Sequence, residues 1–160
     1  MVLNRGLRCL QINLDIGRLA MDLIFQLIKE QGIHVVLEQE PFAAGRELIR
    51  DRWDDVFIWL APDVVSESLH RDRGFVVAEL EDVTLVFANF LPNKNTADFT
   101  AWLDWLGGCV RGRNGRKVLI AGNLNAKSGR FGSGKVNAYG GVLEEFLNAA
   151  ELVPNNIEDE

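Results

Sequence analysis

Apolar and polar positions along the chain repeat with the periods of strands and helices in alternation. Residues 7–14 alternate apolar with polar side chains, which predicts a strand. From Arg18 onward the apolar residues recur at helical spacing as far as Gly32, a residue type that favours the left-handed backbone at a helix end. Residues 33–37 form a second apolar run. The opening is therefore predicted to be a β-α-β unit with parallel strands.

The middle of the chain has one irregular part and one regular part. Residues 48–65 show no clean period, and we expect a loop with a short strand or helix there. Residues 74–80 and 83–90 are two apolar runs joined by two acidic residues. That pattern predicts an antiparallel hairpin with a two-residue turn.

The last third of the chain predicts two helices on either side of one strand. Thr96 is a candidate N-cap for a helix with apolar residues at i, i+3, i+4 and i+7, and the glycines at 107–108 would end it. Residues 117–121 are an unbroken apolar run, which predicts a strand buried on both faces. A glycine-rich loop over 122–141 and a third helix follow, and residues 152–153 begin another strand-like run.

Strands that alternate with helices, together with one hairpin, predict an α/β protein with a mixed sheet. The length of 160 residues and the apolar content of 48% suit a single domain over residues 1–160. The sequence has neither a long apolar run nor the layout of a signal peptide, so we expect an intracellular protein with no membrane partner. Cys9 and Cys109 form no metal or redox motif, and each is expected to be a reduced, buried residue.

Charge is unevenly distributed along the chain. The net charge is −6, yet no Asp or Glu occurs between Trp105 and Leu143. This stretch contains seven basic residues: Arg111, Arg113, Arg116, Lys117, Lys127, Arg130 and Lys135. A polyanion responds to nearby charge within a Debye length of about 8 Å, so the local sign matters more than the total. The stretch is either a solubilising loop or a rim that contacts phosphates.

Polar side chains follow three of the predicted strands. Asn13 comes after the first strand, Glu40 after the second, and Asn123 with Asn125 after the strand at 117–121. Strand ends in α/β sheets converge on a crevice where ligands bind. One carboxylate with several amide oxygens suits a hard cation such as Mg²⁺. The alternative is that all four are ordinary turn residues.

Several short motifs resemble one known family in order over nearly the whole chain. They are QIN at 11–13, RLA at 18–20, VLEQEP at 36–41, LPN at 91–93, AGNLNAKS at 121–128 and LEEFL at 143–147. They resemble the endonuclease domain of LINE-type, non-LTR retrotransposons, part of the endonuclease/exonuclease/phosphatase superfamily. The resemblance implies two mixed sheets packed as a four-layer α/β/β/α sandwich. Complete domains of the family continue through further strands, so the C-terminal strands are expected to be missing here.

The resemblance also implies a chemistry, namely cleavage of a DNA phosphodiester with Mg²⁺, or alternatively Mn²⁺. Glu40 would bind the metal directly, Asn13 would help shape the metal and phosphate site, and Asn125 would hold the scissile phosphate. Asn123 occupies a catalytic position of the family. The basic residues that would follow the DNA backbone are Arg111, Arg113, Arg116, Lys127, Arg130 and Lys135. A reverse transcriptase domain encoded downstream and a nuclear location are implied as well.

The sequence departs from the family pattern in three places. The family has an aspartate that activates water where this chain has Asn123, and a tyrosine where it has Asn89. A Ser-Asp-His motif is not found before Glu160, and neither His34 nor His70 is placed to replace its histidine. We therefore expect little or no nuclease activity.

Two further functions stay open beside a degenerate endonuclease. One is a non-catalytic DNA-binding module or an inert relic of the domain. The other is a phosphoesterase of the same superfamily that acts on small molecules, although the motifs fit the retrotransposon branch better.

Overall fold

The structure is a computed structural model that describes residues 6–13, 18–39, 48–111 and 116–155. The described residues form two compact units. The first contains the residues up to Asn89 together with Arg116 to Gly122, and the second contains Phe90 to Arg111 together with the residues from Asn123 onward. The single domain expected over residues 1–160 stays a prediction.

The chain forms eight strands and three α-helices in the described ranges. The strands are β1 (Cys9–Asn13), β2 (Val35–Gln39), β3 (Ile49–Arg50), β4 (Phe57–Leu60), β5 (Ser66–Asp72), β6 (Phe75–Leu80), β7 (Val83–Asn89) and β8 (Lys117–Asn123). The helices are α1 (Arg18–Gln31), α2 (Thr96–Val110) and α3 (Ala138–Ala149), with a 3₁₀ turn at Gly129–Phe131. None of these helices is long and apolar enough to cross a membrane.

The strands make two mixed four-stranded sheets, which confirms the predicted α/β class. The first sheet has the order β1-β2-β4-β3 and the second β5-β6-β7-β8. In the first sheet β1 is parallel to β2, as the β-α-β pattern predicts, and β4 is antiparallel to both β2 and β3. The predicted hairpin is also confirmed, because β6 and β7 pair antiparallel across the turn at residues 81–82.

Apolar side chains from both sheets form one core. Successive residues of a strand point to opposite faces, so each strand contributes alternate positions to this core. The buried members are Val35, Leu37, Val56, Ile58, Val76, Ala78, Leu80, Leu85 and Phe87. Each such side chain contributes roughly 1.5–3 kcal/mol through removal of its apolar area from water. The other face of β2 presents Val36, which packs with Met21 and Ile24 of α1.

The sheet order corrects one strand prediction and adds one strand that the sequence does not predict. The run at 117–121 is not buried on both faces, because β8 is an edge strand on which Lys117 is exposed and Leu119 is 44% exposed. The strand β5 was not predicted at all. It is also an edge strand and carries polar side chains at most positions, so it has no apolar alternation to reveal it.

The boundaries of the helices also differ from the prediction. The N-cap of α2 is Asn95 rather than Thr96, since the Asn95 side chain accepts a hydrogen bond of 2.7 Å from the backbone N–H of Asp98. The glycines at 107–108 do not end α2. A Cβ on Gly107 would lie 3.0 Å from the ring of Phe146, so this glycine permits close packing of α2 against α3.

Three smaller expectations fail as well. The third helix begins at Ala138, so the last residues of the loop predicted over 122–141 are helical. Residues 152–153 form no strand. Neither cysteine forms a disulfide, but neither is fully buried: Cys9 is exposed on the edge strand β1, and Cys109 is partly exposed.

Gly122 on β8 provides a test of the packing between β7 and β8. Its φ of 131° lies outside the range that side chains favour, and a Cβ there would overlap the carbonyl oxygen of Ala88. Gly122→Ala should lower the free energy of unfolding by about 2–5 kcal/mol, because overpacking adds to backbone strain. Gly32→Ala is the matched control, since φ is 60° there with no atom near the added Cβ. It should cost only about 1 kcal/mol in urea unfolding, and equal costs would contradict the proposed overlap.

Candidate functional site

The first unit places Asn13 beside the end of β2. Because β1 and β2 are parallel and in register, Asn13 lies opposite Gln39, the residue that precedes Glu40. Glu40 itself lies outside the described residues. Gln39 is 9% exposed, and its Nε2 is buried without a hydrogen-bond partner among the residues described. A buried polar atom without a partner at a strand end is typical of a position that contacts a ligand or a water.

The chemistry of these side chains bears on the expected metal. The described ranges contain no group of three or more His, Cys, Asp or Glu residues that could hold an ion. The amide oxygen of Asn13 is nevertheless a hard ligand of the kind that Mg²⁺ accepts beside a carboxylate. Asn13 and Glu40 as metal ligands stay a prediction.

In the second unit, a tight turn follows β8. The Oδ1 of Asn123 accepts a hydrogen bond of 3.0 Å from the backbone N–H of Asn125. This is the bond of an Asx turn, in which a side chain replaces a backbone acceptor. Asn125 has a φ of 52°, a left-handed conformation that asparagine tolerates better than most residues.

Phe90 holds the same turn from both sides. Its backbone N–H donates to the carbonyl of Asn123 at 3.0 Å, and its own carbonyl accepts from Nδ2 of Asn125 at 2.7 Å. An amide nitrogen carries two N–H groups, so this bond leaves one of them for a ligand. The role predicted for Asn125 in holding a phosphate is compatible with the turn.

The turn at Asn123 requires only a side-chain oxygen that accepts a hydrogen bond from the backbone N–H of Asn125. A carboxylate oxygen would accept the N–H of Asn125 in the same way as the amide oxygen does. An aspartate at this position is therefore compatible with the local backbone. What the amide lacks is the charge and basicity of a carboxylate.

Asn137, which sequence reasoning missed, connects this turn to α3. Its Oδ1 accepts from the backbone N–H groups of Lys127 at 2.9 Å and Gly140 at 3.0 Å. Its Nδ2 donates to the carbonyl of Asn125 at 2.8 Å. An asparagine directly before a helix is a known N-cap signal that could have identified it, but the polar contact to Asn125 has no signal in the sequence.

Close packing fixes the remainder of this loop. A Cβ on Gly140 would overlap the carbonyl oxygen of Lys127, so the first turn of α3 lies directly against the loop backbone. Ser128 is buried and accepts from the N–H of Arg130 at 3.1 Å at the start of the 3₁₀ turn. The loop after β8 is therefore an ordered segment whose backbone groups have defined partners.

Tyr139 orders the segment that contains the Leu-Pro-Asn motif. Its hydroxyl donates to the carbonyl of Lys94 and lies 3.4 Å from the carbonyl of Leu91. Its ring stacks on Phe99 with centroids 4.4 Å apart. The residues before α2 are thus held by a buried aromatic side chain of α3.

The predicted basic residues fall into different settings. Lys127, Arg130 and Lys135 belong to the ordered loop of the second unit and are exposed. The guanidinium of Arg130 donates to Oδ1 of Asn148 at 2.7 Å, a neutral partner that leaves its charge in place. Arg111 donates from Nε to the carbonyl of Gly107 at 3.2 Å.

Two basic positions do not join that loop. Arg116 belongs to the first unit, where it forms an ion pair with Glu67. The hydrogen bond to Glu67 raises the pKa of Arg116, so this charge is already balanced by an acid. Arg113 lies outside the described residues.

The other positions named from the family pattern have structural contacts. The backbone N–H of Asn89 donates to the carbonyl of Gly74 at 2.8 Å at the end of β7. Nδ1 of His34 accepts from the backbone N–H of Arg8 at 3.0 Å. The convergence of Asn13 and Glu40 with Asn123 and Asn125, which belong to the other unit, stays a prediction.

Substitutions of Asn137 test whether it holds the loop after β8. Asn137→Ala removes three hydrogen bonds and should lower the free energy of unfolding by about 1–3 kcal/mol. Asn137→Asp retains the acceptor for Lys127 and Gly140 but places a second oxygen against the carbonyl of Asn125, so it should cost less than Asn137→Ala but more than a silent change. Amide hydrogen exchange at Lys127 and Gly140 should accelerate only in the alanine variant. Equal exchange in both variants would contradict this assignment.

Comparison with known proteins identifies the fold. No family model and no curated protein matches the sequence. Among solved structures, the endonuclease domain of TRAS1, a telomere-specific non-LTR retrotransposon, superposes with a TM-score of 0.81 and 22% identity. The match covers 97% of this chain and 75% of that one. The resemblance indicated by the motifs is thus confirmed at the level of the fold: the chain has the fold of a non-LTR retrotransposon endonuclease domain.

Proposed function

We propose that this chain binds DNA phosphates as a relative of retrotransposon endonucleases and hydrolyses the phosphodiester only weakly. The observation that carries the proposal is Asn123, which ends β8 in a nuclease fold and uses its side-chain oxygen to hold Asn125. The turn that would present a catalytic group is built, but the group is an amide. A neutral amide cannot take a proton from water at neutral pH, which removes general-base help of roughly 10²- to 10⁴-fold.

Asn13 and Glu40 are the residues that would hold Mg²⁺, or alternatively Mn²⁺. The chemistry that a bound ion supplies in such a site is polarisation of the phosphate and neutralisation of charge on the leaving oxygen. Asn125 would donate its remaining amide N–H to a phosphate oxygen, which orients the phosphodiester. The position of Asn89, where the family has a tyrosine, would contribute no phenolic hydroxyl.

DNA is the partner that the charges of the second unit favour. Its ordered loop carries Lys127, Arg130 and Lys135, and the sequence around it contains no acidic residue from 106 to 142. Contacts of this kind supply affinity but little sequence information, because phosphates are the same at every step of the duplex. The resemblance to retrotransposon endonucleases supports, as further parts of the proposal, a nuclear location and a reverse transcriptase domain encoded downstream.

Salt dependence distinguishes phosphate binding from an inert relic. A duplex should bind with an affinity that falls steeply as salt rises, because each phosphate contact releases counterions. The double variant Lys127→Gln/Lys135→Gln should reduce the slope of log K against log salt by about 2, since each contact contributes about 0.9. Arg116→Gln is the matched control and should leave the slope unchanged, because Glu67 already pairs with that charge. Fluorescence anisotropy with a labelled duplex measures both, and an unchanged slope in the double variant would exclude the loop as the contact.

The missing carboxylate is tested by restoring it. The unmodified chain should show little Mg²⁺-dependent nicking of a supercoiled plasmid. In a chain that also carries the Ser-Asp-His motif of the family, Asn123→Asp should raise the rate by about 10²-fold or more. Asn123→Ala, which also loses the hydrogen bond to Asn125, should give no gain. Turnover by the unmodified chain at the rate of an active endonuclease of this fold, or no increase in Asn123→Asp, would contradict the proposal.

A further inference from the structure

Gln39 lies at a position of β2 where an apolar residue is expected. Val35 and Leu37 belong to the core between the two sheets, whereas Val36 packs with α1 on the opposite face. Because successive residues of a strand alternate between faces, Gln39 continues the line of Val35 and Leu37. It is the last residue of that line and is 9% exposed. The last side chain of this core line is thus an amide, where the other members are hydrocarbon side chains.

The amide of Gln39 is destabilising in the structure as it stands. Its Nε2 is buried and makes no hydrogen bond with any residue that the structure describes. Leaving such a donor without a partner weakens folding by roughly 10-fold in the equilibrium constant. A methionine or leucine would fill the same space with no polar group, so the fold alone does not explain the glutamine.

Among the described residues, one other buried side-chain atom has no hydrogen-bond partner, but its residue lies at a different position in the sheets. Oγ1 of Thr84 also lacks a partner. Thr84 lies near the start of β7, opposite Glu79 of β6, and alternates with Leu85 and Phe87 of the core, so it points to the other face of its sheet. Gln39 instead ends its strand, opposite Asn13. A ligand at the end of the strand can reach Gln39 and not Thr84.

We propose that the Gln39 amide donates a hydrogen bond to a phosphate oxygen of bound DNA. The inference rests on the proposed function and adds a contact to it. The 9% of the Gln39 residue that is exposed does not come from Nε2. A half turn of the terminal amide exchanges its nitrogen and oxygen without displacing other atoms, and this torsion is broad and soft. The NH₂ group can therefore turn from its unpartnered position toward a ligand beside Asn13.

A ligand-binding role and a structural role predict opposite outcomes for one substitution. Gln39→Met retains the volume and removes the unsatisfied donor, so it should raise the urea midpoint of the free protein. The same variant should weaken binding to a labelled DNA duplex by about 10-fold or more, because a hydrogen bond to a charged oxygen is lost. Thr84→Val is the matched control. It should also retain or raise the midpoint, and it should bind the duplex as the unmodified chain does.

The outcomes separate this contact from the proposed function. If the unmodified chain binds no duplex, the proposed function fails and the contact fails with it. If the unmodified chain binds and Gln39→Met binds equally well, only the contact is overturned. A loss of binding in Thr84→Val of the same size would also overturn it, because the effect would then come from the core in general.

A second variant keeps the test decisive if Gln39→Met does not fold. Gln39→Glu has the same shape but replaces the donor with a charged acceptor, which should repel a phosphate oxygen. Duplex binding should fall by at least 10-fold in both EDTA and Mg²⁺. Unchanged binding in EDTA, or binding that Mg²⁺ strengthens relative to the unmodified chain, would overturn the assignment of Gln39 as a phosphate donor.

Discussion

Burial of apolar side chains between the two sheets is the constraint on which the first unit depends. A strand can contribute only alternate residues to a shared core, so the side that each polar residue takes is decided by its neighbours. On β2 this rule sends Val36 to α1 and sends Leu37 and Gln39 to the core side. The same packing that stabilises the fold therefore places an amide at the end of the core, where solvation of that amide is poor and a ligand oxygen would be favourable.

In the second unit, the loop after β8 is ordered mainly by hydrogen bonds, whereas the first unit is stabilised by the burial of alternate strand residues. The loop over residues 124–137 contributes no side chain to the buried apolar core, and its backbone groups need defined partners to be ordered. Asn123, Asn125 and Asn137 provide these partners, with Phe90 as the backbone counterpart. Asparagine suits each place for a different reason: one closes an Asx turn, one adopts a left-handed backbone, and one caps a helix while also donating from its amide.

The sequence predicts the parts of this fold that local patterns of residues determine, and it misses the parts that depend on which elements pack beside them in space. The β1-α1-β2 unit and the β6-β7 hairpin follow from the spacing of apolar residues, and the structure confirms both. The edge position of β8 does not follow from its apolar run, because burial depends on how many strands lie beside it. The glycines at 107–108 were expected to end a helix, but Gly107 is set by the approach of α3 and not by its own helix.

The candidate site divides in the same way. The predicted strands put Asn13, Asn123 and Asn125 at strand ends, and the structure places all three there or directly after. The missing partner of Gln39 Nε2 and the three bonds of Asn137 could be found only with coordinates. Both depend on atoms that are distant along the chain.

The turn at Asn123 constrains the hydrogen-bonding capacity of its side chain and leaves the charge of that side chain free. The turn after β8 needs an oxygen that accepts the N–H of Asn125, and both an amide and a carboxylate supply one. Folding therefore places no constraint on the charge at this position, whereas hydrolysis depends on it. Aspartate and asparagine at this position are therefore equivalent for the turn and differ only in charge and basicity. The fold is shared with the endonuclease domain of TRAS1 at only 22% identity, so most positions of the chain can change while the fold is retained.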